Sequence, residues 1–208
     1  MRNRSRLLLA AIGAIALLGM AVGAASAGRL EVSNSANGFK IVWTRIRLEA
    51  AGLEAQCPAT LEGTFERATY AKRITERIGR VTGANIGTCN RNRATLLRET
   101  LPWEVQYDSF VGVLPSITTV SLNVIRMSFR ANLEGIECLA ATTTQHPVGV
   151  IARLGGEGPV IGVRFDETRE IETVGGFFCS IGGPAHFAGE AAFITNRAGV
   201  AAITIRLI

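Results

Sequence analysis

The chain has 208 residues, of which 48% are hydrophobic, 6% aromatic and 19% charged, with a formal net charge of +5. That length allows one domain or at most two small ones, and an ordinary apolar fraction with few charges excludes a mainly disordered chain. The basic balance and the positive mean hydropathy point toward a membrane protein, but both are concentrated at one end.

Arg2, Arg4 and Arg6 open the chain without an acid, Leu7 to Ala25 is a long apolar run, and Ala25-Ser26-Ala27 supplies the small residues a signal peptidase reads. Basic start, apolar middle and A-x-A end are the parts of a secretory signal, and cleavage is expected after Ala27. The alternative is an uncleaved anchor over residues 7–25, since the run approaches bilayer length and Gly19 and Gly23 form a GxxxG pair. Ala and Gly dominate its last third, which weakens insertion relative to Leu. No Cys follows the cut, as a lipoprotein would need, and no Arg-Arg pair marks twin-arginine export. Residues 1–27 hold three of the 22 basic residues and none of the 17 acids, so the remainder carries only +2. Its arginines are interleaved with acids, as in Glu66-Arg67, Glu76-Arg77 and Arg169-Glu170, which reads as solvated surface rather than a nucleic-acid groove. A secreted or otherwise extracytoplasmic protein is expected, with no nucleic-acid partner and no stable membrane insertion after cleavage.

Residues 28–38 are small and polar and read as a flexible N-terminal lead-in; residues 39–208 read as one disulfide-stapled β domain. Phe39 to Glu49 has high β propensity, with Val42, Ile46 and Leu48 assigned to one face and Arg45 and Arg47 to the other. Ala55 to Phe65 follows as a strand in which Cys57-Pro58 suits an edge or a strand start. Arg67 to Arg80 is the one expected helix, because Tyr70, Ile74 and Ile78 recur every four residues and Gly79 can close it. Trp103 to Val113 alternates, placing Trp103, Val105, Tyr107, Val111 and Val113 opposite Glu104, Gln106 and Asp108. Val120 to Arg130 is strand-like but changes phase between Val124 and Ile125, as a bulge or a strand buried on each face in turn would produce. Ile161, Val163 and Phe165 alternate with Gly162, Arg164 and Asp166. Phe187 to Ile194 and Val200 to Ile208 flank Thr195–Gly199 as a terminal hairpin. Short alternating runs between Gly/Pro turns predict a mainly β protein, a single antiparallel β-sandwich or barrel with at most one short helix, preceded by the signal peptide. An outer-membrane barrel is disfavoured by the short strands, the cysteines and the scarcity of Trp and Tyr.

Cys57, Cys89, Cys138 and Cys179 all follow the signal, and an even count in an exported chain reads as two disulfides. Their spacing matches no CxxC metal or redox pattern. Of three connectivities, Cys57–Cys89 with Cys138–Cys179 is favoured because it staples each half locally.

Catalytic templates fail one after another. His146 and His186 are the only histidines, Asp108 and Asp166 the only aspartates, and no GxSxG surrounds a serine. Ser180 lies beside a half-cystine and reads as part of a stapled loop. Glu99, Glu104 and Asp108 near Trp103 and Tyr107 suggest a sugar-binding carboxylate set, but the pleat puts the carboxylates opposite the aromatics. The acidic stretch Asp166, Glu167, Glu170 and Glu172 has no calcium-loop spacing and contains Arg169, so it reads as a solvated hairpin end. Gly155–Gly158 lacks the Lys and helix of a phosphate loop and reads as a turn. No catalytic, cofactor-binding or metal-binding residue is assigned, and no cofactor is expected.

Cys57-Pro58 with Leu61-Glu62-Gly63-Thr64-Phe65, the run Leu101-Pro102-Trp103-Glu104-Val105-Gln106-Tyr107, Phe110-Val111-Gly112 and Leu114-Pro115-Ser116-Ile117-Thr118 resemble a group of small secreted four-cysteine proteins from high-GC bacteria. Cys138-Leu139-Ala140 and Gly175-Gly176-Phe177-Phe178-Cys179 fit the same pattern, and the Leu-Pro-Trp segment is its most specific part. The resemblance implies export and four cysteines, and it implies no activity. The expected function is a secreted, non-enzymatic binding or cell-envelope-associated module with a cell-surface or small-ligand partner. A lipocalin-like carrier of a small apolar ligand is the first alternative, and a secreted hydrolase the second.

Overall fold

The computed structural model describes residues 28–33, 36, 38–50, 52–90, 92–113, 116–156, 158–175, 184–191, 193–199 and 202–208. In chain order its strands are β1 (Arg29–Val32), β2 (Phe39–Ala50), β3 (Leu53–Phe65), β4 (Thr69–Ala71), β5 (Arg77–Ile86), β6 (Arg93–Leu96), β7 (Trp103–Val113), β8 (Ser116–Ile125) and β9 (Ser128–Leu133). They continue as β10 (Ile136–Ala141), β11 (Val148–Leu154), β12 (Val160–Phe165), β13 (Glu172–Gly175), β14 (His186–Ala188), β15 (Glu190–Ala191), β16 (Phe193–Thr195) and β17 (Ile205–Leu207). No α-helix is present among the described residues, and Arg98–Thr100 forms a 3-10 turn.

Seven long strands pair antiparallel in the order β2-β3-β5-β7-β8-β11-β12. The segment from β14 to β16 then lies between the two free edges. Phe187 pairs with Leu48 and Phe193 with Val42 on β2, while Ala191 pairs with Val163 on β12. The sheet is thereby nearly closed into an antiparallel barrel, which removes its long edges. Gly189, at φ 128, allows the closure: a Cβ there would sit 2.8 Å from the Arg45 carbonyl oxygen.

Two small sheets cover the barrel ends. The sheet β17-β1-β4 places Leu30, Val32, Ile203 and Ile205 over the end where β2 begins, beside Phe39. The sheet β13-β10-β9-β6 lies toward the opposite end, where Leu96 and Met127 meet Ile46 and Phe187. Buried Phe129, Ala131 and Leu133 alternate along β9 and supply its inner face. A chain of rings joins this sheet to the barrel axis: Phe129 to Phe187 at 4.9 Å, Phe187 to Phe165 at 5.2 Å, and Phe165 to Trp43 at 5.2 Å. Each such pair adds roughly 0.5–1.5 kcal/mol beyond its area burial.

One disulfide, Cys57–Cys89, ties β3 to the segment after β5 with an S–S distance of 2.01 Å. Beside it, Asn92 Nδ2 donates to the Glu54 carbonyl and the Asn90 N–H to the Gln56 carbonyl, so the connection to β6 is stitched along β3. Cys138, buried on β10, is also disulfide-bonded. Cys179 lies outside the described residues, as do Ser180 and the signal segment.

Several expectations need correction. The lead-in at 28–38 is not loose throughout, because Leu30 and Val32 are buried and β1 is the central strand of its sheet. Residues 67–80 form no helix. Tyr70 belongs to β4 and Ile78 to β5, both buried, whereas Ile74 is 70% exposed in the turn between them. Their four-residue spacing therefore spans two strands and a turn. Arg126, at φ 68, lies in the bend between the end of β8 and the start of β9 in another sheet, so the phase change between Val124 and Ile125 is a corner. The terminal hairpin keeps its turn, where the Gly199 N–H donates to the Asn196 carbonyl, but its second arm leaves to pair Ile205 with Val32.

Bulges explain the misplaced faces. A register shift between Trp43 and Ile46 of β2 turns Val42 outward and leaves Phe39, Trp43, Ile46 and Leu48 buried. Pro58 lies opposite that shift in an interior strand, where its missing N–H leaves no gap in the pairing. A second shift, at Asp108, reverses the phase of β7 and leaves Val111 61% exposed. A third extrudes Ile161 from β12.

Candidate binding surface

The barrel interior is built by the inward residues of β2, β3, β5, β7, β8, β11 and β12, with the end sheets closing over them. Its larger void, about 80 Å³, is lined only by apolar side chains and Gly79. A second void of about 30 Å³ lies toward the β9 sheet. Trp43, Leu61, Val124 and Val150 border both and so partition the interior. Pockets for drug-sized ligands run to roughly 300–1,000 Å³. Among the described residues the barrel interior is a packed core.

The outer wall is charged. Lys40 pairs with Glu62 at 3.0 Å and Arg153 with Glu190, and on the β9 sheet Arg130 pairs with Glu137 at 3.2 Å. Such exposed pairs contribute little individually, about 0–1 kcal/mol. They are nevertheless unlike the apolar band that a membrane barrel turns to lipid.

On this wall lies an open groove of about 450 Å³, lined by Arg77, Arg80, Thr100, Leu101, Pro102, Glu104 and Arg126. Its construction begins with a bulge in β5: Arg77 pairs with Gln106 but Gly79 with Val105, so Ile78 is the additional residue. Strict alternation would send Arg77 and Arg80 to opposite faces; the bulge brings both outward while Ile78 and Val81 stay buried. Both arginines converge on one carboxylate oxygen, Glu66 Oε1, with Arg77 Nε at 2.6 Å and Arg80 Nε at 3.2 Å. Across the groove Arg126 donates from Nη1 to Glu104 Oε1 at 3.0 Å. The Leu101–Pro102 wall is anchored from below. Trp103, fully buried, donates its indole N–H to Thr100 Oγ1 at 2.8 Å, and that hydroxyl donates in turn to the Leu97 carbonyl at 2.7 Å.

The charges in the groove are layered. The acids are the more buried partners, with Glu104 19% and Glu66 27% exposed, whereas Arg77, Arg80 and Arg126 are 40%, 42% and 69% exposed. Solvent therefore meets guanidinium groups.

A second polar cluster lies under the turn after β12. Arg169 reaches Asp108 Oδ2 at 3.3 Å and Asp166 Oδ2 at 3.4 Å, and Asn123 Nδ2 donates to Asp108 Oδ1 at 3.3 Å. Burial alone would raise the Asp166 carboxyl. The Thr168 hydroxyl and N–H together with Arg169 outweigh that and hold it below the usual aspartate range. Gly149 makes room for the cluster, since a Cβ there would lie 2.7 Å from that of Asp166.

The other residues singled out in the sequence are scattered. His146 is exposed, and its N–H donates to Thr143 Oγ1. His186 sits on β14 opposite Glu49, with Nδ1 buried and unpartnered. Neither hydrogen-bonds a serine or a carboxylate among the described residues. Trp103 and Tyr107 are buried, and burial pushes the Tyr107 phenol up with the Asp108 carboxylate adding to it. Glu104 and Asp108 lie on the outer side, committed to Arg126 and Arg169 respectively. Gly155–Gly158 is a turn closed by the Gly158 N–H on the Gly155 carbonyl. Sequence reasoning missed the three arginines of the groove as a group, and the one available signal was Gly79 between Arg77 and Arg80. Set against known protein families, characterised proteins and solved structures, the chain matches none.

Proposed function

We propose that the chain is exported, loses residues 1–27 by cleavage after Ala27, and acts outside the cytoplasm as a disulfide-stapled barrel that binds through its outer wall without catalysing a reaction. The observation that carries this reading is the filled interior, with voids of about 80 and 30 Å³ beneath covering sheets. A barrel whose described interior leaves space for no more than a few heavy atoms works from its surface. The Cys57–Cys89 bond supports an oxidising compartment, and the basic, apolar and A-x-A parts of residues 1–27 support export. A second reading, a carrier of a small apolar ligand, is favoured by the wholly apolar lining of the larger void, and its ligand is limited to a few heavy atoms.

The test is to express the full chain in a bacterium with a general secretory pathway, fractionate the cells, and sequence the N-terminus of the product. A protein beginning at Gly28 in the medium or envelope, with no thiol open to alkylation after denaturation, is expected. A cytosolic chain that retains residues 1–27 and four free thiols would overturn the reading.

A further inference from the structure

We propose that the groove between β5, β7 and the Arg98–Thr100 turn is an oxyanion site, which takes a carboxylate or phosphate group on a small organic body. The proposal rests on the reading of the outer wall as the binding surface and names the chemistry that surface recognises.

Three features converge on it. First, the β5 bulge re-aims Arg80 to the side of Arg77, an arrangement that ordinary strand alternation forbids, and bulges beside functional sites do this kind of work. Second, Glu66 Oε1 lies within ion-pair distance of both Nε atoms, yet neither guanidinium makes a side-chain hydrogen bond among the described residues, and Arg77 Nε is buried without a hydrogen-bond partner. Guanidinium donors that are drawn to one side by a shared carboxylate but left unsatisfied gain charge-assisted hydrogen bonds when an oxyanion docks. Third, Arg126 occupies the left-handed region at φ 68, which is strained for a long side chain and which Gly or Asn would occupy at less cost. Its guanidinium completes the groove from the far side. The Leu101–Pro102 wall gives the ligand body an apolar contact.

The molecule carries its own reporter. Trp43 and Trp103 are the only tryptophans. The Trp103 indole N–H is bonded to Thr100 in the groove wall, whereas Trp43 borders the interior voids. The exported protein, labelled with 15N, is titrated with inorganic phosphate and separately with acetate at constant ionic strength held with chloride. A saturable shift of the Trp103 indole signal with a static Trp43 signal is expected. The anion that saturates at lower concentration identifies the phosphate or the carboxylate form of the ligand. Arg80→Gln and Arg126→Gln should each weaken the response about tenfold, the scale of one lost charge-assisted contact. Arg130→Gln, at an ion pair on the β9 sheet, should leave it unchanged. A Trp103 signal unmoved by both anions overturns the proposal. So does a shift that persists undiminished in folded Arg80→Gln and Arg126→Gln proteins, folding being checked by an unchanged Trp43 signal. Either failure in an exported, disulfide-bonded protein leaves the surface-binding reading in place, whereas failure of export removes that reading without touching the titration.

Discussion

The inside and the outside of the same strands obey different rules. Inward residues such as Trp43, Val81, Trp103 and Val120 are at most 1% exposed and fill the core by volume and apolarity, with the Trp103 indole N–H the one polar link outward to Thr100 among these four. Outward residues of the same strands include many ion pairs as well as exposed Val111 and Ile161, and their arrangement depends on where register shifts fall. Around Ile78 a single inserted residue keeps an apolar side chain in the core while bringing two arginines together outside. The interior thus makes the barrel, and the irregularities of its wall make the groove.

The largest predicted effect separates the two regions directly. Trp43→Ala removes the ring that borders both voids and stacks on Phe165, and it should destabilise by about 3–5 kcal/mol in urea unfolding. Arg80→Gln, on the wall, should stay within about 0.5 kcal/mol of the parent. Similar losses for both variants would mean that the wall is structural and the contrast false.

Next in size is the staple. Cys57 and Cys89 are 32 residues apart, and replacing both by Ala should cost about 3–4 kcal/mol if loop entropy in the unfolded chain dominates. A much smaller loss would show that the hydrogen bonds from the 90–92 segment to β3 hold that connection unaided.

Gly63→Ala tests how tightly the inner side is closed. A Cβ at Gly63 would lie 2.2 Å from Phe39 Cζ and 2.3 Å from the Arg80 carbonyl oxygen. Because the second atom is backbone, the clash cannot be relieved by a side-chain movement alone, and about 1–3 kcal/mol should be lost. A neutral substitution would indicate that β5 shifts freely, which would also loosen the groove above it.

The smallest effect is pH-dependent and belongs to the wall. The Asp166 carboxyl is lowered in the folded state, so its contribution is fully present above the unfolded aspartate value of about 3.9 and is lost as pH falls through the folded value. The parent and Asp166→Asn should therefore differ most near neutral pH, by about 1 kcal/mol or less for a partly exposed group, and converge in acid. A difference that grows toward low pH would contradict the assigned contacts with Thr168 and Arg169.

Much of the interior was legible in the sequence. Alternation identified β7 from Trp103 to Tyr107 and placed Trp103 in the core opposite Glu104, because period-two burial leaves a direct trace. Gly and Pro marked the turn at 155–159. What stayed hidden were the register shifts at Asp108 and Ile161, the corner at Arg126, and the lateral closure by residues 186–195. A bulge changes face without requiring a particular residue type, so Val111 and Ile161 looked like core and lie outside. The apparent helix at 67–80 failed for a related reason, since a four-residue spacing also arises when two strands flank a turn. The groove was illegible because each of its arginines reads individually as solvated charge, and only the fold brings them to one side.

The central claim is that this barrel is full and acts from its surface. Its most direct test is the mass of the exported protein, measured under native conditions and again after denaturation and alkylation. The account predicts one mass in both states, that of a chain beginning at Gly28 with all four cysteines oxidised and no alkylated thiol. A heavier native species that loses a small apolar molecule on denaturation would contradict it and make the interior the site of function.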